Sequence, residues 1–289
     1  MTITWLDLQR PLDKRLDRLL RDLDDQLRSR NIPYLLTGGM AREILLHYGH
    51  GCPSGRTTTD VDFGVALPSW EAYQALRGAL VESGLFRLDP KQAQRVIHRD
   101  PGTGIETKVD LVPFGPIATP EESLTWPPDG SHVMRVLGYE QALSSAIHLR
   151  LDETRWVPLA SASGIAVLKL VAWADQGEAR LGRDAVDFLE ILRHHAQVLT
   201  DQELYEDYPE AMERYEFQAE TAAAWILGKQ VAGMADGPLR TVIREVLQPE
   251  SRIRMMNHFL RERGFQGSDE REAEVVRLLE AFKEGFETY

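Results

Sequence analysis

The chain has 289 residues, room for about two domains of roughly 150 residues each, and its 43% hydrophobic and 27% charged composition excludes a disordered polypeptide. Its one cysteine, Cys52, excludes an internal disulfide and any multi-cysteine zinc or iron–sulfur site, and suits a reducing cytoplasm. The net charge of −12 is uneven: residues 201–289 hold 19 acids and 11 bases, against 26 and 22 in residues 1–200, so a basic groove has room only in the first two-thirds.

Taken in chain order, Asp7 to Arg30 is predicted to be an amphipathic helix, with Leu12, Leu16, Leu19, Leu20, Leu23 and Leu27 on one face. Tyr34–Thr37 reads as a short apolar strand running into Gly38-Gly39, with a helix from Met40 to Tyr48. Gly49 to Thr57 is a loop by its Gly, Pro and Ser content. Thr59 to Leu67 alternates as a strand, and Pro68 starts a helix to about Ser83. Gln94–Arg99 and Ile105–Val112 form two strands of a hairpin turning at Pro101-Gly102. Pro113 to Asp129 is Pro-rich and irregular, and short strands and a helix near 139–146 lead to Trp156–Leu159. Ala162–Gln176 and Arg183–His194 are helices, with His194-His195 as a C-terminal cap. Only helical patterns follow, including 220–227, 251–261 and 269–286. The longest apolar stretch, Gly164 to Ala174, is broken by Lys169 and falls far short of the ~20 residues that span a bilayer. The N-terminus lacks a basic region followed by an apolar run, so neither membrane nor secretion is expected.

The chemistry is expected at Thr59-Asp60-Val61-Asp62-Phe63. Alternation places Asp60 and Asp62 on one face of a strand and Val61 and Phe63 on the other. Two adjacent carboxylates repel unless a cation lies between them, and hard oxygen ligands suit Mg²⁺; a solvated polar face is the competing reading. In Ile105–Val112 the same alternation turns Glu106, Lys108 and Asp110 outward. If the two strands are neighbours, Asp110 becomes a third carboxylate, and three can hold two Mg²⁺ ions for in-line phosphoryl or nucleotidyl transfer. Upstream, a strand, Gly38-Gly39 and a helix start make an anion site, because the missing Cβ atoms let backbone N–H groups approach phosphate.

The order strand, Gly-Gly, helix, Asp-x-Asp, strand, Asp resembles the nucleotidyltransferase superfamily with the polymerase-β-like fold. Within it, the chain is most similar to the AbiEii/AbiGii type, toxins of bacterial toxin–antitoxin and phage-defence systems. The motifs that carry the resemblance are Gly38-Gly39, Arg56 to Phe63 with one extra residue, Leu168-Lys169-Leu170 near Ala172-Trp173, and Arg183 to Phe188. Two features depart from the superfamily. The spacing from Gly39 to Asp60 is long, and Gly39 stands where Ser is common.

The resemblance implies an α+β fold, a mixed sheet flanked by helices, with a nucleotidyltransferase domain over 1–195 and an acidic helical domain over 196–289. It implies Asp60, Asp62 and Asp110 as ligands of one or two Mg²⁺ ions, and Gly38, Gly39, Arg42 and Arg56 as the triphosphate site. Lys169 would be a point charge for a phosphate, with Asp184 or Asp187 orienting it or polarising the acceptor. The implied reaction moves a nucleoside monophosphate from an NTP to a tRNA 3′ end or, alternatively, to a protein hydroxyl, and a cognate antitoxin is an implied partner. A binding module of the same fold without turnover is the reading from a different class. Arg95, Arg99 and Lys108, on strands beside Asp110, are the expected acceptor contacts, since the acidic tail repels phosphates.

Overall fold

The computed structural model describes residues 4–56, 58–127, 130, 132–177, 181–265 and 267–288. Thr57, inside the Arg56-to-Phe63 motif, and Asp129 lie outside the described residues. The chain divides into two compact units, one drawing on Met1–Gly51 and Arg56–Ser161, the other on Cys52–Gly55 and Ala162–Tyr289.

The first unit is built on an eight-stranded mixed sheet. Its elements are β1 (Trp5–Leu6), α1 (Lys14–Arg28), β2 (Tyr34–Thr37), α2 (Gly38–Glu43), β3 (Asp60–Ala66), α3 (Trp70–Glu82), β4 (Phe86–Leu88), β5 (Arg95–Arg99), β6 (Glu106–Phe114), β7 (Ser123–Thr125), β8 (Val133–Arg135), α4 (Tyr139–Ser144), β9 (Ile147–Arg150) and β10 (Trp156–Leu159). The sheet order is β1-β9-β10-β2-β3-β6-β5-β4, with β7 and β8 forming a separate ribbon. β3 lies near the centre, antiparallel to β2 and parallel to β6. A parallel pair needs a crossover, and α3 with β4 and β5 supplies it. Val61, Phe63, Val65, Val109 and Leu111 are all buried, so one period-two face of β3 and β6 builds the core while the other carries the carboxylates.

The helix expected from Asp7 starts only at Lys14, capped by Asp13, whose side chain accepts from Arg15 N. Pro11 lies just upstream, where the chain instead adds Trp5–Leu6 to β9 as a two-residue edge strand. Asn31 adopts a left-handed φ of 54° as the chain leaves α1. The helix after Gly38-Gly39 widens into a π turn over Ile44–Gly49. Between β5 and β6, Asp100 Oδ1 accepts from the backbone N–H groups of Gly102 (2.9 Å) and Thr103 (2.6 Å), holding a wide turn. β7 falls in the stretch read as irregular.

The second unit is helical: α5 (Ala162–Gln176), α6 (Arg183–Val198), α7 (Pro209–Arg214), α8 (Ala219–Met234), α9 (Gly237–Val246), α10 (Pro249–Glu262) and α11 (Asp269–Glu287), with a π turn at Glu203–Asp207. α6 runs four residues past His194, so the His194-His195 pair lies inside its last turns and does not cap it. α8 and α11 meet backbone to backbone. A Cβ on Gly228 would sit 2.0 Å from the Phe282 carbonyl oxygen, and one on Gly285 would sit 2.0 Å from that of Trp225. The sequence suggests a division after residue 195, whereas the compact units part between Ser161 and Ala162. The reason is apolar area: α5 is buried around most of its circumference and packs with α6, α8 and α9. Among the described residues no helix is long and apolar enough to cross a membrane.

Candidate active site

The sheet brings the Asp-x-Asp strand beside the third aspartate. Asp62 is directly opposite Asp110 in the parallel β3–β6 pairing, and Asp60 is one alternation earlier on the same face. On the far side of β6, Arg95 of β5 is directly opposite Asp110. Its guanidinium grips that carboxylate with two prongs, Nε to Oδ1 at 2.7 Å and Nη2 to Oδ2 at 2.8 Å. The same Nη2 donates to Asp60 Oδ2 at 3.1 Å. Arg95 and Asp110 are about as shielded as each other, at 16% and 15% side-chain exposure, while Asp60 is more open at 34%. The Asp110 hydrogen bonds hold the Arg95 guanidinium above its ordinary pKa against the opposing effect of burial. Arg95 is therefore an internal ion-pair partner, not the acceptor contact expected from its place on the strand.

Asp62 lies over the Gly-Gly turn. Gly38 has a left-handed φ of 73°, and a Cβ built there would be 2.0 Å from Asp62 Oδ2. The first glycine thus permits both a backbone conformation and the close approach of a site carboxylate. A Cβ on Gly39 would meet Arg56 Nη2 and Thr58 Oγ1, each at 3.2 Å. The space left by the second glycine is thus lined by a guanidinium and a hydroxyl from the following loop. Arg42 differs from its expected place in the triphosphate site: at 1% exposure it is turned into the fold. There it donates to the Arg56 carbonyl at 3.0 Å and pairs with Glu43 at 3.2 Å, tying α2 to the loop that precedes β3. Tyr73 of α3 braces β6 one residue beyond Asp110, its hydroxyl donating to the Leu111 carbonyl at 3.1 Å.

In the second unit, Lys169 of α5 is 9% exposed and its ammonium lies 2.9 Å from Asp184 Oδ1 and 2.8 Å from Asp187 Oδ2 of α6. Burial opposes its charge, but Asp187 and Asp184 outweigh that and hold the ammonium above its ordinary range. The resemblance implied Asp184 or Asp187 as the partner orienting Lys169; both carboxylates hold it, and they do so in a buried cluster. Asp184 and Asp187 are themselves 4% and 0% exposed.

Sequence reasoning missed the roles of Arg95, Thr58 and Tyr73. A hairpin centred on Pro101-Gly102 would place Arg95 opposite Lys108, whereas the wider Asp100 turn shifts the register by two and places it opposite Asp110. A composition signal for that turn exists in Asp100 followed by Pro-Gly-Thr-Gly.

The carboxylates are chemically suited to a hard divalent cation. As they stand, no group of three or more His, Cys, Asp or Glu among the described residues is arranged to hold one. Arg95 provides the physical reason, since its guanidinium already stands between Asp60 and Asp110 as a stand-in cation.

A Gly-Gly turn beneath an Asp-x-Asp strand, with a third aspartate on the parallel neighbour, defines an enzyme of nucleotide transfer. The chain belongs to the family described as "Nucleotidyl transferase AbiEii toxin, Type IV TA system", whose model matches residues 18–286. No curated protein matches it by sequence. Among solved structures it is similar to an antigenic nucleotidyltransferase-like protein from Paracoccidioides brasiliensis, at 18% identity over 81% of this chain and 94% of that one, with a TM-score of 0.44. It is also similar to ANT(2")-Ia in complex with adenylyl-2"-tobramycin, at 14% identity over 70% and 99% of the two chains, TM-score 0.38. A third is a STING-associated CdnE c-di-GMP synthase from Capnocytophaga granulosa, at 9% identity over 96% and 83%, TM-score 0.26.

Proposed function

We propose that this nucleotidyltransferase moves a nucleoside monophosphate from an NTP to an acceptor hydroxyl in a metal-dependent reaction, with a tRNA 3′ end as the favoured acceptor. In the cell it acts as the toxin of a toxin–antitoxin pair, held in check by an antitoxin protein. The observation that carries the catalytic reading is the gathering of Asp60, Asp62 and Asp110 on one face of β3 and β6, with Arg95 paired to Asp60 and Asp110. Like charges so close are costly without a counter-charge, and a magnesium-bound triphosphate would supply one.

Asp60, Asp62 and Asp110 are the residues that would hold Mg²⁺, which when bound neutralises triphosphate charge and favours the attacking alkoxide. The acceptor oxygen forms a bond to the α-phosphorus as the bond to the β-phosphate bridging oxygen breaks, and pyrophosphate leaves with that electron pair. Asp110 takes the acceptor's proton. Gly38 and Gly39 leave the turn open to phosphate, with Arg56 beside it, while Arg42 keeps the loop in place. Arg99 and Lys108, exposed on the same sheet face as Asp110, engage the acceptor's phosphates. Within the helical unit, Lys169 stays paired to Asp184 and Asp187.

The test is transfer of label from each α-labelled NTP to tRNA and, in parallel, to whole-cell protein, with pyrophosphate release measured alongside. Label on tRNA that requires Mg²⁺ supports the reading, and label on protein alone moves the acceptor to a protein hydroxyl. NTP-induced stabilisation with no pyrophosphate would leave a binding module.

A further inference from the structure

The carboxylates of the site already hold a cation, and it is the protein's own. Arg95 makes two bonds to Asp110 and one to Asp60, and among the described residues its side chain has no other hydrogen-bond or ion-pair partner. The N–O separations of 2.7–3.1 Å suit a guanidinium. A divalent magnesium ion needs carboxylate oxygens at about 2.0–2.1 Å in near-octahedral array. Arg95 bridges both oxygens of Asp110 to Asp60, so a divalent ion shared between those two carboxylates would need the place the guanidinium now fills. Arg95 is also poised to leave. It is the first residue of β5, its backbone is held by Gln92 and Asp89 independently of the side chain, and the Asp60 carboxylate it reaches is one-third exposed.

We propose that Arg95 is a displaceable counter-ion: it keeps Asp60 and Asp110 together in the metal-free enzyme, yields to the metal–nucleotide complex, and then turns to the triphosphate. The planar fork that matches a carboxylate matches a phosphate equally well, so the residue exchanges one anion for another without leaving the site. This rests on Asp60 and Asp110 being the metal ligands. It gives Arg95 two effects of opposite sign, competing with the metal alone and assisting the nucleotide. A purely structural arginine would weaken both when removed.

Mn²⁺ binding to the nucleotide-free protein, followed by the loss of the free-ion paramagnetic signal, separates these cases. Arg95→Gln should bind Mn²⁺ about 10- to 100-fold more tightly than the native protein, the range expected on removing a charged competitor. At saturating metal the same variant should show a KM for NTP raised ~10-fold or more. Arg95→Lys keeps the charge but loses the fork, so it should fall between the two, and it carries the test if Arg95→Gln does not fold. Asp110→Asn serves as the reference for the metal site. If Asp110→Asn weakens Mn²⁺ binding but both Arg95 variants bind it no more tightly than the native protein, the counter-ion role is overturned while the metal reading stands. Mn²⁺ binding untouched by Asp110→Asn overturns both. An unchanged KM for NTP in Arg95→Gln overturns the transfer of Arg95 to the triphosphate.

Discussion

Gly38→Ala tests the link between backbone conformation and catalysis. The residue has φ = 73°, and placing an ordinary L-residue in that left-handed region costs about 1–2 kcal/mol. That corresponds to a fall in melting temperature of about 2–8 °C for a unit of this size. The new methyl would stand 2.0 Å from Asp62 Oδ2, whereas contacts under 3.0 Å are essentially never seen. Either the turn or the Asp62 carboxylate must therefore move by about 1 Å, and a displacement of that size at a reacting centre typically costs on the order of 100-fold in rate. Gly39→Ala is the matched control. Its neighbours, Arg56 Nη2 and Thr58 Oγ1 at 3.2 Å, are the tips of side chains that can give by a few tenths of an ångström, and its φ is not left-handed. Pyrophosphate release and thermal melts of the two variants decide the matter. Equal activity in the two would refute the argument that Asp62 needs the first glycine.

Three further outcomes follow from the same geometry. Asp62→Asn should abolish transfer, and Asp110→Asn should both abolish it and destabilise the free protein by about 1–3 kcal/mol because Arg95 loses its two-pronged partner; an unchanged urea midpoint for Asp110→Asn would contradict this. Lys169→Ala leaves the buried Asp184 and Asp187 carboxylates without their cation and should cost about 3–5 kcal/mol in urea denaturation, so a loss well below 1 kcal/mol would show that the pair is not held as described. Burial, followed by Arg193 and Arg263, holds His194 below the ordinary histidine pKa of 6.5, against the opposing effects of Glu274 and a hydrogen bond with Gln197. The unfolded chain then binds the proton first, so stability is present above about pH 6.5 and declines as pH falls below it. His194→Gln should lessen that decline between about pH 7 and 5, and an identical slope in the two proteins would count against it.

Much of the site was legible before folding. The period-two alternation of Asp60-Val61-Asp62-Phe63 and of Val109-Asp110-Leu111 assigns the carboxylates to one face, and the sheet keeps that assignment. The helix Ala162–Gln176 has the predicted bounds, because its residues favour helix locally. The two-residue β1 and three-residue β4 were not legible, since strands so short have almost no period to detect. Lys169 was legible as a charge on a helix but not as a buried one, because Asp184 and Asp187 reach it from the neighbouring helix. Arg42 belonged by position to the phosphate motif, yet packing turned it to the Arg56 carbonyl. Arg95 sharpens the contrast: its presence on a strand beside Asp110 was readable, but a two-residue change in hairpin register chose its partner. The sequence alone determined which side chains share a face, because alternation and helix propensity act through adjacent residues. The tertiary structure decided which charges meet across strands and helices, because pairing register and burial depend on residues far apart in the chain.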